Sequence, residues 1–197
     1  MPRSLAALFG MAALFAAIAN AAQDTPPAVN PPVADPPAGD LLIASAELQD
    51  PRFAHAVVLL LRHDNNGAFG IVINHPLGER PLAAVLSDAD RGDGKDRENG
   101  KDSDVAGTIR VFLGGPVQTE LGFVVHSAEY RRPETLIVSS DLAMTANPEV
   151  LRDIAEHRGP AKYLLALGYA GWGAGQLEGE IARGGWFTTP AEPDLVF

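Results

Sequence analysis

The residues best suited to chemistry fall into three groups, and none holds a complete catalyst. The first is the run Gly168-Tyr169-Ala170-Gly171-Trp172-Gly173-Ala174-Gly175-Gln176-Leu177-Glu178. An apolar stretch from Tyr163 to Ala170 feeds closely spaced glycines, and a segment of helical character follows. Glycine has no Cβ, so such a turn permits positive φ and close approach of a guest to the backbone. A helix start leaves N–H groups free for an anion or a carbonyl. Gly171, Trp172, Gly173 and Gln176 are therefore candidate ligand-binding residues. The second group is Asn74, whose amide both donates and accepts, with Gly114 and Gly115, a turn ahead of Pro116. The third is His63 and His126, each ending a predicted strand.

Specific chemistries are then narrowed by spacing. Gly171-x-Gly173-x-Gly175 sits where a phosphate cradle belongs, but Gln176 stands where a dinucleotide fingerprint needs glycine. Gly-Lys-Ser/Thr is absent, so a tight turn that packs Trp172 is the competing account. Among the five histidines there is no His-x-His and no His-Glu-x-x-His, and the chain has no cysteine. No metal and no cofactor is expected. Ser45, Ser127, Ser139 and Ser140 are loose ingredients for a nucleophile, with His126 or His63 as base. Gly-x-Ser-x-Gly is missing, so a hydrolase would need partners brought together by the fold alone. No catalytic residue is assignable. Formal charge is −10, from 25 acidic against 15 basic residues, which disfavours binding to a phosphate backbone. The expected partner is a small ligand or a protein, not nucleic acid.

The elements that must position these residues read as follows. Leu41–Ala44, Ala56–Arg62 and Phe69–Ile73 are strand candidates, with His63-Asp64-Asn65-Asn66-Gly67 as a hairpin turn. Pro81–Leu86 is a short helix, and Ser87–Gly107, charged and glycine-bearing, is an exposed loop. Ile109–Leu113, Phe123–His126 and Thr135–Ser139 are strands. Asn147-Pro148-Glu149 caps a helix reaching about His157. Tyr163–Ala170 is the central buried strand, Gln176–Arg183 a helix, and Trp186–Thr189 and Leu195–Phe197 the last strands. Hairpin-like strand pairs with few helices favour an α+β fold.

Residues 1–40 stand apart. Arg3 precedes the apolar run Leu5–Ile18. As a helix that run is about 21 Å long, short of the roughly 30 Å of a bilayer interior. Ala19-Asn20-Ala21 fits a signal-peptidase site with cleavage before Ala22. The chain reads as a signal peptide over 1–21, then a proline-rich linker over 22–40 built on Pro26-Pro27, Pro31-Pro32 and Pro36-Pro37. This predicts a periplasmic or secreted protein with no membrane span after cleavage.

Four blocks in order resemble the YqgE/AlgH family of bacterial proteins. They are His63 through Leu77, Leu113-Gly114-Gly115-Pro116-Val117, Gly122-Phe123-Val124-Val125-His126 and the Gly168–Glu178 run. Leu41-Leu42-Ile43-Ala44 resembles the family's start, so the resemblance covers residues 41–197. It implies an α+β fold with a bifurcated, mostly antiparallel sheet curling into a partial barrel. It implies no settled activity, although AlgH is described as a regulator of alginate production. Most members lack an export signal, which leaves a cytoplasmic location as the alternative. The resulting expectation is a non-enzymatic ligand- or protein-binding module. A hydrolase using His126 or His63 with a nearby serine, and a transcriptional regulator, are the alternatives.

Overall fold

A computed structural model describes residues 35–92 and 105–197, and Ala34–Phe197 forms one compact unit. The signal peptide, most of the proline-rich linker and the charged segment 93–104 lie outside the described residues.

Strands β1 (Asp40–Ala44), β2 (Val57–Asp64) and β3 (Gly67–Val72) open the chain. The β2–β3 pairing closes at Asp64↔Gly67, so Asn65-Asn66 forms the expected turn. Edge strand β4 (Pro76–Pro81) pairs with β5 (Thr108–Leu113), and helix α1 (Leu82–Gly92) lies between them in sequence. Then come β6 (Val117–Ser127), β7 (Leu136–Ile137), β8 (Leu142–Thr145) and helix α2 (Glu149–Ala155). Strand β9 (Tyr163–Gly173), helix α3 (Gln176–Ala182), β10 (Trp186–Pro190) and helix α4 (Pro193–Val196) complete it.

The sheet runs β10-β1-β2-β3-β9-β6-β8-β7, with β5 joining β9 and β4 joining β5. Within the described residues the β5–β9 ladder is parallel and the others are antiparallel. Strand β9 is the hub. Its first half pairs with β6 on one edge, while on the other Leu165–Leu167 pair with β5 and Ala170–Gly173 with β3. This is the expected α+β bifurcated sheet, curled into a half-barrel.

The fork sits where backbones come too close for any side chain. A Cβ on Gly115, at φ +153, would lie 2.1 Å from the Tyr169 carbonyl carbon. One on Gly168, at φ +74, would lie 2.6 Å from the Gly115 oxygen. Only glycine permits that approach.

Both faces of the central strands β2, β3 and β9 are covered, so these read as nearly continuous apolar runs. Leu59, Leu61, Ile71, Leu164 and Ala166 fill the inner core. Val58, Leu60, Ala170, Trp172, Leu177 and Trp186 pack on the opposite face with Phe53. There the Phe53 ring stacks on Trp172 at 6.2 Å and meets Trp186 edge-on at 5.7 Å. A third cluster joins Leu82, Val85 and Leu86 of α1 to Val150, Leu151 and Ile154 of α2 over Val124 and Leu165.

Four elements differ from the sequence reading. Helix α1 continues to Gly92 instead of ending at Leu86, because Ala89 extends the stripe Leu82, Val85, Leu86 at helical spacing. Ser87 and Asp88 belong to the polar face of that helix. Strands β4 and β8 were not anticipated. All of β4 is exposed and bracketed by prolines, as an edge strand tolerates, while β8 lacks a β-branched run. The expected strand Leu195–Phe197 is instead the end of α4. Pro193 starts that turn, the Leu195 and Phe197 N–H groups donate to the Glu192 and Pro193 carbonyls, and Val196 enters the inner core.

Candidate functional site

Among the described residues, a cavity of about 340 Å³ on the outer face of the half-barrel is shaped to hold a molecule. Its floor is strand: Val111 of β5, Phe123 and Val124 of β6, Leu165 and Leu167 of β9. Helix α1 supplies Val85, Asp88 and Ala89 on one side, and α2 supplies Val150 and Leu151 on the other. The rim carries Arg80, Glu120, Leu121 and Asn147. The volume is in the range of small-molecule sites, and an apolar floor with few polar groups is their usual make-up.

Local sequence explains each wall. The β6–β9 register breaks between Val117 and Gly122, and Gln118 sits at φ +47 in that break. The irregular segment carries Glu120 and Leu121 to the rim. Asn147 Oδ1 accepts the Glu149 N–H at 2.9 Å, which caps α2, and its Nδ2 donates to Glu134.

Most polar groups here already have partners. Arg80 bonds Asp88 at 2.9 Å. Thr145, fully buried in the wall, is bonded to His126 beneath it. His126 Nδ1 lies 2.9 Å from the Ser127 carbonyl, which only accepts, so Nδ1 carries the proton. Its Nε2 then accepts from Thr145 Oγ1 at 2.9 Å, and Thr145 in turn accepts from Thr135 Oγ1 at 2.8 Å. Burial pushes the His126 pKa below its ordinary value, against the weaker pull of the Ser127 carbonyl and Glu129. The neutral imidazole holds the wall residue Thr145 from behind. Glu120 is the exception, since its carboxylate has no hydrogen-bond or ion-pair partner among the described residues.

Apart from His126, the residues singled out from sequence lie elsewhere. Gly114 and Gly115 stand at the sheet fork, where the Gly114 N–H donates to the Leu167 carbonyl at 2.7 Å and its carbonyl accepts from Val72 at 2.8 Å. Asn74 is nearby, its amide bridging the Val57 N–H and the His55 carbonyl, each at 2.8 Å. Gly171 lies in the β3–β9 ladder opposite Phe69, and the Gly173 N–H donates to Gln176 Oε1 at 3.2 Å. Trp172 is buried, with its indole N–H on Glu180 Oε2 at 3.0 Å. Trp186 donates to the same oxygen at 2.8 Å, and Gln176 Nε2 reaches Glu180 Oε1 at 3.0 Å.

His63 lies near this cluster, its side chain 6% exposed. It bonds the Pro36 carbonyl through Nδ1 at 2.8 Å and Glu178 through Nε2 at 3.0 Å. Both partners accept, so the ring is a cation. Burial alone would lower its pKa, but the Pro36 carbonyl and the Glu178 carboxylate outweigh burial and raise it. The hydroxyls of Ser45, Ser127, Ser139 and Ser140 all bond elsewhere, and Ser127 meets His126 only through its backbone carbonyl. Ser45 donates to the Gly184 carbonyl, Ser127 to Glu129 and Ser140 to Asp141, while Ser139 accepts from the Leu142 N–H.

The cavity escaped sequence reasoning because the family block that touches it, Gly122–His126, reads as a plain strand. Its walls come from five separated segments of ordinary apolar residues. The signals available were the helical stripe of α1 and the capped start of α2, both of which must cover a sheet face.

Fold and cavity together define an α+β half-barrel protein with a ligand-sized hollow under two helices. The chain belongs to the YqgE/AlgH family: the AlgH-like family model (DUF179) matches residues 41–197. A UPF0301 protein of Thioalkalivibrio sulfidiphilus is 45% identical over 157 residues, covering 79% of this chain and 78% of that one. One from Afipia carboxidovorans is 42% identical over 161 residues, covering 81% and 75%. The solution structure of the AlgH protein from Pseudomonas aeruginosa is 40% identical, with a TM-score of 0.64 over 81% of this chain and 79% of that one. These names state no reaction, and the family's biochemical function is not established.

Proposed function

We propose that this chain is a non-enzymatic binding protein that takes a small, largely apolar molecule into the cavity between α1, α2 and the β6–β9 face. The observation that carries this reading is a hollow of about 340 Å³ with a floor of Val, Leu and Phe side chains. Its buried polar wall group, Thr145, is held by His126 and Thr135, which suits a container more than a reacting centre. Both nitrogens of His126 and of His63 are engaged, which weighs against the hydrolase reading. A regulatory role, in which occupancy is sensed by a partner protein, accords with the AlgH resemblance. Export accords with the signal-like start, and N-terminal sequencing of the mature protein tests it.

The binding test uses N-phenyl-1-naphthylamine, a neutral probe that brightens in apolar sites, with amide shifts mapping its position. Enhancement with shifts at Leu121, Gly122 and Ala146 is expected. No enhancement, or shifts confined to other parts of the chain, overturns the reading.

A further inference from the structure

We infer that the cavity selects molecules with a cationic amine head on an apolar body. This rests on the binding reading above and assigns the ligand class. The argument is one of charge at the rim. Among the described residues, three charged side chains line the opening: Arg80, Asp88 and Glu120. Arg80 and Asp88 neutralise each other through a contact of 2.9 Å. Glu120 is left uncompensated, exposed at one end of the hollow beside Leu121. The remaining polar lining is neutral and committed inward. Asn147 is held by Glu149 and Glu134, and Thr145 by His126 and Thr135.

A guest that buries its body against Val124, Val150 and Leu165 therefore meets one carboxylate that accepts hydrogen bonds and no unpaired cation among the described residues. An ammonium head satisfies that carboxylate. A carboxylate head would face it at short range, within a chain whose formal charge is −10. An alcohol head lies between the two. The size of the hollow suits a body of several carbons, not a long lipid chain.

The experiment titrates the full chain with 1-octylamine, 1-octanol and octanoate at pH 7, reading amide shifts around the cavity. The expected order is octylamine, then octanol, then octanoate, with amine and carboxylate separated on the order of tenfold at low salt, because attraction in one becomes repulsion in the other. Raising salt should narrow the gap. Glu120→Gln should bring octylamine to the level of octanol, and Glu120→Lys should place octanoate first. Glu120 is exposed on an irregular segment, so both variants keep the fold. If all three probes bind at the cavity with equal affinity and the variants change nothing, the amine assignment falls while the binding reading stands. If none of them moves the cavity amides, both fall.

Discussion

Gly122→Leu should fill the cavity and raise stability while removing the binding site. Gly122 lies in β6 and lines the hollow. A Cβ built there would sit 3.6 Å from Leu165 Cδ1 and 4.0 Å from Leu167 Cδ2, ordinary contact distances against two cavity residues. A leucine side chain therefore enters the space without moving backbone. Its four carbons, at about 0.8 kcal/mol for each one buried, give up to about 3 kcal/mol of transfer energy. Lost rotamer freedom of about 0.5–1 kcal/mol reduces this. Glycine in a strand is itself unfavourable by roughly 0.5–1 kcal/mol, which the substitution removes. The last two terms offset one another, so the net gain is at most about 3 kcal/mol, read as a higher urea midpoint by circular dichroism. In parallel, N-phenyl-1-naphthylamine enhancement should vanish. A stabilised variant that still binds the probe would refute the placement of the site. A variant destabilised by about 2 kcal/mol or more would show that no such hollow is open beside Gly122.

Three further outcomes follow from the same geometry. Gly115→Ala forces a Cβ within 2.1–2.5 Å of the Tyr169–Ala170 peptide and should cost more than about 3 kcal/mol or abolish folding, whereas Gly173→Ala, with nothing nearby, should be mild in the same urea titration. Glu180→Ala strips the acceptor from both indoles of a chain with two tryptophans and should cost about 2–4 kcal/mol with a shifted emission maximum, Glu180→Gln falling between; unchanged emission would contradict the shared carboxylate. The histidines should pull stability in opposite directions with pH. Burial lowers the His126 pKa, so its contribution is complete above about 6.5 and lost as pH falls, when the unfolded chain takes a proton the folded one refuses. The raised pKa of His63 makes its contribution complete below about 6.5 and lost as pH rises through the folded value. Ring nitrogen resonances followed across pH 4–9 should separate the two, and titration of both near 6.5 would contradict the assignment.

Local chemistry alone determined much of this protein. The Asn65-Asn66 hairpin, the Asn147 cap and the glycine clusters are set by turn and capping preferences that act within a few residues. The family was legible for the same reason, since glycines that must sit against neighbouring backbone leave a fixed signature. What those glycines do was not legible. Gly114 and Gly115 read from sequence as a turn with open N–H groups, and only strands β3, β5 and β9 arriving at one fork made them, with Gly168, a backbone crossing. Ala89 looked like loop until α2 gave its helix a surface to cover. His63 and His126 look alike in sequence, yet a half-buried carboxylate partner made one a cation and a threonine chain left the other neutral. The cavity belongs wholly to tertiary structure, because a hollow is the space five distant segments fail to fill, and no single segment records it.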